Sequence, residues 1–144
     1  MINDGFNLKG KVEVRLNDEV VREIDNLVVT AGKNFVAASM IKTTSNSPAA
    51  MTHMAIGSNT TNPAAGDTAL GTELGRVALT SGTVSNAVVT YVATFPAGTG
   101  TGAVVEAGIL NASSGGTLLC HTEFDVVNKG SADAITITWT VTVS

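Results

Sequence analysis

The sequence predicts a mainly β protein: an antiparallel β-sandwich or jelly-roll-like domain with an N-terminal hairpin and one or two short helices. Three observations predict it. The last eleven residues, Ala134 to Ser144, alternate apolar Ile135, Ile137, Trp139, Val141 and Val143 with Thr136, Thr138, Thr140 and Thr142. Successive strand side chains point to opposite faces, so this is a half-buried strand with one apolar and one threonine face. Composition agrees, since 20 Thr, 18 Val and 15 Gly in 144 residues suit strands and turns better than helices. Short apolar runs also recur between Gly-rich turns, the spacing of a sandwich or jelly roll.

The elements follow in order. Lys11 to Leu16 alternates, with Val12, Val14 and Leu16 on one face; Asn17-Asp18 supplies a turn and Glu19 to Ile24 returns as the second arm of a hairpin. Thr30 to Ile41 predicts a helix capped by Thr30, with Phe35, Ala38, Ser39 and Met40 on one face. Met51 to Ile56 alternates weakly. Asp67 through Leu74 predicts a capped helical turn in which Glu73 and Arg76 pair locally. Strands are then expected at Val77 to Thr80, Ala87 to Phe95, Ala103 to Leu110, Thr117 to Phe124 and Ala134 to Ser144. Exposed loops fill Thr43 to Ala50 and Ser58 to Gly66. The length fits one domain over 1–144, able to bury roughly 68–70% of its unfolded surface.

Charge narrows the function classes. Only 14% of residues are charged, against a usual figure of about 25%. So little charge on a soluble surface implies cover by partners or by copies of the chain itself. The net charge of −4 lacks the basic footprint that nucleic acid needs. Six of the eight basic residues precede Thr43 and are matched there by Asp4, Glu13, Asp18, Glu19, Glu23 and Asp25. No apolar run approaches the roughly 18 residues of a membrane span, and Met1 to Leu16 has no signal-sequence pattern. A single cysteine, Cys120, suits synthesis in a reducing compartment.

The residues that carry chemistry point away from catalysis. Cys120-His121 is a nucleophile-and-base pair in name, but neighbours in a strand face opposite ways, so the expectation is a core cysteine beside an outward histidine. His53 and His121 lack metal-ligand spacing, and His53 is read as a surface residue. Gly98 to Gly102 lacks the following helix and the lysine of a phosphate cradle, which leaves a flexible hairpin connection. Glu106 is the one acid in the apolar run AVVEAGIL; facing inward it needs a partner, with Arg76 the candidate, and facing outward it is an ordinary surface acid. No catalytic, cofactor or metal residue is assigned.

These segments carry a family resemblance. MAIGSNTTNPAAGDTALGTELGRVAL (Met54 to Leu79), VTYVATFPAGTGTGAVVEAGILNASSGGTLL (Val89 to Leu119) and FDVVNKGSADAITITWTVTVS (Phe124 to Ser144), with NLVVTAGKNFVAASMI (Asn26 to Ile41), resemble small virion structural proteins of tailed bacteriophages. The likeness extends to capsid decoration (cement) proteins and to the N-terminal module of tail-fibre and tail-collar proteins. The chain departs from the IG-x-G-x-T element of that module, with Asn59 at the second glycine.

The resemblance implies a non-enzymatic decoration protein on the outer capsid surface, made in the host bacterial cytoplasm. Its partners would be the major capsid protein and copies of itself, as a homo-oligomer with a trimer expected. A tail, neck or baseplate/fibre adaptor is the alternative, disfavoured because the chain ends at Ser144 without a shaft. Candidate partner contacts are Ile2, Phe6 and Leu8 of an extended N-terminal arm (1–8) without evident strand partners, the two exposed loops, and Thr136, Thr138, Thr140 and Thr142.

Overall fold

The computed structural model describes residues 7–41 and 47–144, and among them nine strands and one helix follow in chain order. They are β1 (Leu8–Leu16), β2 (Glu19–Val28), α1 (Thr30–Ser39), β3 (His53–Gly57), β4 (Glu73–Ala78), β5 (Ser81–Ser85), β6 (Val88–Phe95), β7 (Gly102–Leu110), β8 (Leu118–Lys129) and β9 (Ile135–Val143). The strands form one antiparallel sheet, ordered β4-β3-β7-β8-β2-β1-β9-β6-β5 and curled into a half-barrel. The mainly β class, the N-terminal hairpin and one short helix stand as expected.

The hairpin turn is set by Asn17 and Asp18, with φ of 50° and 70°. Two successive left-handed residues match the twist of paired strands, and Asn and Asp tolerate that conformation better than most. β2 then serves both halves of the sheet. Its length from Glu19 to Asn26 pairs with β1, and its last residues, Leu27 and Val28, pair with His121 and Cys120 of β8. Strands β5, β6, β9 and β1 lie to one side of it, and β8, β7, β3 and β4 to the other.

The curl brings the apolar faces of the halves together. Val12, Val14, Ala93, Phe95, Ile135, Ile137, Trp139 and Val141 share one buried cluster with Met54, Ile56, Val104, Ala107, Ile109, Phe124 and Val127. The alternation of β9 is as the sequence predicts, with Ile135, Ile137, Trp139 and Val141 buried and the threonines half-exposed. Fully burying an apolar side chain of this size contributes about 1.5–3 kcal/mol, so this cluster holds the curl closed.

Several expectations change. Thr30 is the first helical residue, and the cap position belongs to Val29, whose side chain makes no cap bond. The helix ends at Ser39; Phe35 and Val36 pack on the core, whereas Met40 is exposed. No helix forms from Asp67 to Leu74: residues from Glu73 onward are strand β4, paired with β3. Gly71 in the middle of that run weakens a helix there by about 1 kcal/mol, and from Glu73 onward pairing with β3 supplies the hydrogen bonds instead. The Gly98 to Gly102 connection joins two strands but is no hairpin, because β6 and β7 lie in opposite halves of the sheet. Gly98, Gly100 and Gly102 all have positive φ there.

Candidate functional site

β7 is buried without a break from Val104 to Leu110. One face meets the main core. The other is covered by the chain between β3 and β4, whose Leu70 packs with Ala55, Leu110 and Leu118 in a second small cluster. Gly108 makes room for it, since a Cβ there would come within 2.6 Å of Leu70 Cδ1.

Glu106 lies under this covering loop, 1% exposed. Its Oε1 accepts from the backbone N–H of Gly71 (3.0 Å), and its Oε2 accepts from those of Asn59 (2.9 Å) and Thr72 (3.0 Å). His121 completes the set, with Nε2 2.9 Å from Glu106 Oε1 and Nδ1 2.8 Å from Asp67 Oδ2. Both ring nitrogens face carboxylate oxygens, so the ring donates to both only when both carry hydrogen. Asp67 in turn accepts from the Ala64 N–H at 2.8 Å. That backbone bond, with a smaller contribution from His121, holds the Asp67 carboxyl below its ordinary range, against the opposing effect of burial.

Two expectations are corrected by this clamp. His121 does point away from Cys120, which is fully buried in the core, but the loop covers it and leaves it 4% exposed. The partner of Glu106 is His121, not Arg76. Arg76 pairs with Glu73 at 2.6 Å and donates to the carbonyls of Ala112 (2.9 Å) and Gly115 (2.8 Å), fastening the β7–β8 connection. His53 is half-buried, with Nδ1 2.8 Å from Thr52 Oγ1.

The clamp is suited to holding rather than reacting. All of Glu106's capacity is directed at fixed protein donors, and the thiol of Cys120 lies on the opposite face of β8. Burial pushes that thiol far above its usual pKa, which suppresses the nucleophilic thiolate. Among the described residues, no group of three His, Cys, Asp or Glu could hold a metal ion. No helix among them is long and apolar enough to cross a membrane.

The other half of the sheet presents a different surface. Thr136, Thr138, Thr140 and Thr142 of β9 stand beside Thr94, Val92, Thr90 and Val88 of β6, and Thr94 Oγ1 lies 3.0 Å from Thr136 Oγ1. β5 extends this face with Ser81, Thr83 and Ser85. On the β1 side the face becomes charged, with Lys9, Lys11, Glu13 and Arg15 opposite the same threonines. No charged residue occurs between Arg76 and Glu106 in the sequence, so β5 and β6 are entirely uncharged.

No family model, curated protein or solved structure matches this chain. The N-terminal candidates fall differently. Ile2 and Phe6 lie outside the described residues. Leu8 has a strand partner after all: it is the first residue of β1, opposite Val143, and packs against the core. Asn7 and Ser144 exchange backbone hydrogen bonds of 2.6 and 2.8 Å beside it. Of the two expected contact loops, residues 42–46 are likewise outside the described residues, while Ser58 to Gly66 forms part of the clamped covering loop.

Beside α1 lies a cavity of about 650 Å³ lined mainly by apolar Leu8, Leu27, Val28, Val36, Ala37 and Met40. Asn26 borders it, and its buried side-chain amide has no hydrogen-bond partner among the described residues. Sequence reasoning missed the clamp because it joins residues 15 to 54 positions apart. The signal available was the AVVEAGIL run: continuous rather than alternating apolar character means burial on both faces, and hence a covered Glu106.

Proposed function

We propose that this chain is a non-enzymatic virion structural protein of a tailed bacteriophage, a decoration (cement) protein that binds the outer capsid and stabilises contacts between capsomers. The observation that carries the reading is the uncharged Thr, Ser and Val face of β9, β6 and β5, which suits burial against protein because no charge needs desolvating. The family resemblance supplies the particle. The curled sheet is read as a sandwich closed along one side, with β2 passing between its two layers. Such a frame presents the threonine face as a firm platform while the clamped 58–72 loop offers a second shaped contact. Copies associate with one another as well as with the major capsid protein.

Gel densitometry of purified virions tests the assignment: a decoration protein is present in hundreds of copies, whereas a tail, neck or baseplate adaptor is present in a few to a few dozen. Low copy number overturns the capsid reading in favour of the adaptor. Deleting residues 1–6, which spares the β1 pairing of Leu8, tests the arm as a capsid clasp. A folded protein that no longer binds capsids supports the clasp, and unchanged binding removes it.

A further inference from the structure

We propose that β5 is a docking strand for a second copy of this chain, the two β5 strands pairing antiparallel about Thr83 so that two sheets join edge to edge. This rests on the reading of the chain as a self-associating subunit, but not on where that subunit sits in a particle. β5 ends the sheet, paired with β6 on one side, and all five of its residues are exposed. Among the described residues no strand lies along its other side. The free N–H and C=O groups of such an edge are a template for another strand.

Edges that must stay single are guarded by charge, proline, bulges or covering loops. The opposite edge of this sheet has such guards. β4 carries the Glu73–Arg76 ion pair and a register shift against β3, and Gly75 sits against the β6–β7 connection, where a Cβ would come within 2.9 Å of Gly100 Cα. β5 has none. Its register with β6 runs without a shift, and it contains neither proline nor a charged residue.

The occupant follows from self-complementarity. A twofold through Thr83 sets Thr83 opposite Thr83, Ser81 opposite Ser85 and Gly82 opposite Val84 of the second copy. The first two are hydroxyl pairs that favour cross-strand packing. The third places Val84, 71% exposed, over a residue without a side chain. No like charges meet, and a charged partner strand would find no countercharge. A twofold contact of this kind is closed, so it yields a pair rather than the threefold expected from the resemblance. Pairing extends the uncharged threonine face across both copies.

The test uses the full chain. Residues directly opposite in an antiparallel pair have Cα atoms about 4.5–5.5 Å apart, within disulfide range. Thr83→Cys should therefore form a disulfide-linked dimer under mild oxidation about tenfold faster than Ser113→Cys, an exposed loop control. The buried Cys120 is out of reach in both. By sedimentation the unmodified protein should be a dimer, and Thr83→Lys, which sets two cations face to face, should weaken that dimer about tenfold or more without loss of folding.

A protein that stays monomeric up to about 100 µM, or forms trimers, overturns the proposal. So does Thr83→Cys cross-linking no faster than the control, or a dimer indifferent to Thr83→Lys. Dimers cross-linked through β5 that do not bind capsids sink only the capsid reading. Capsid binding by a monomer sinks only the β5 pairing.

Discussion

Glu106 and His121 show how much of this protein turns on single buried groups. A carboxylate taken out of water is tolerated only when its lone pairs are met, and Glu106 meets three backbone N–H groups and an imidazole. Glu106→Gln keeps the size but aims an NH2 group at existing donors. It should cost about 2–4 kcal/mol in urea unfolding, with amide exchange accelerating first across the 58–72 loop. Asp67 sets the acid limb of the same clamp. Its folded pKa is lowered from 3.8, so its contribution is complete above that value and is lost as pH falls through the lower folded value. Asp67→Asn should therefore be least stable relative to the unsubstituted protein at neutral pH, with the gap closing below about pH 4 in pH-dependent denaturation. The opposite trend would show that Asp67 is not held by Ala64 and His121.

At the scale of elements, strands with period-two alternation were legible and the short helix was legible to within a few residues. β9, β1 and β6 each place one face on the core and one outside, so their pattern carries the assignment alone. β5 was missed because SGTVS is exposed throughout and has no apolar face to announce it. Only the start of β4, Glu73 and Leu74, departs from the expected helical turn, because spacing among Asp67, Glu73 and Arg76 says nothing about the strand β3 waiting beside it; its end, Val77 and Ala78, falls in the expected strand. Helix α1 is placed by Gly32, against which the backbone of β8 lies: a Cβ there would come within 2.0 Å of Leu119 O. Gly32→Ala gains about 1 kcal/mol in helix propensity but forces the helix off a backbone that cannot swing aside. The clash should win, giving a net loss of about 1–3 kcal/mol and a lower Tm in thermal unfolding. A raised Tm would mean that the helix shifts freely on the sheet.

For the whole molecule, the curled sheet joins the chain's beginning to its end, with β1 between β2 and β9 and most contacts long-range. Opening the core therefore requires parting strands distant in sequence, and Cys120, fully buried within it, reports that event. A thiol reagent should label native protein only at the rate of global unfolding, and stoichiometrically in denaturant; rapid labelling of native protein would show that the core opens locally. The sequence by itself determined the β class, the hairpin, the two faces of β9 and the buried place of Cys120, because each follows from local periodicity or turn chemistry. That the strands curl as one sheet, that Glu106 pairs with His121 rather than Arg76, and that no described strand lies along the outer side of β5 are settled only by tertiary packing. Those outcomes depend on which distant segments meet, and neither local pattern nor propensity encodes the partner.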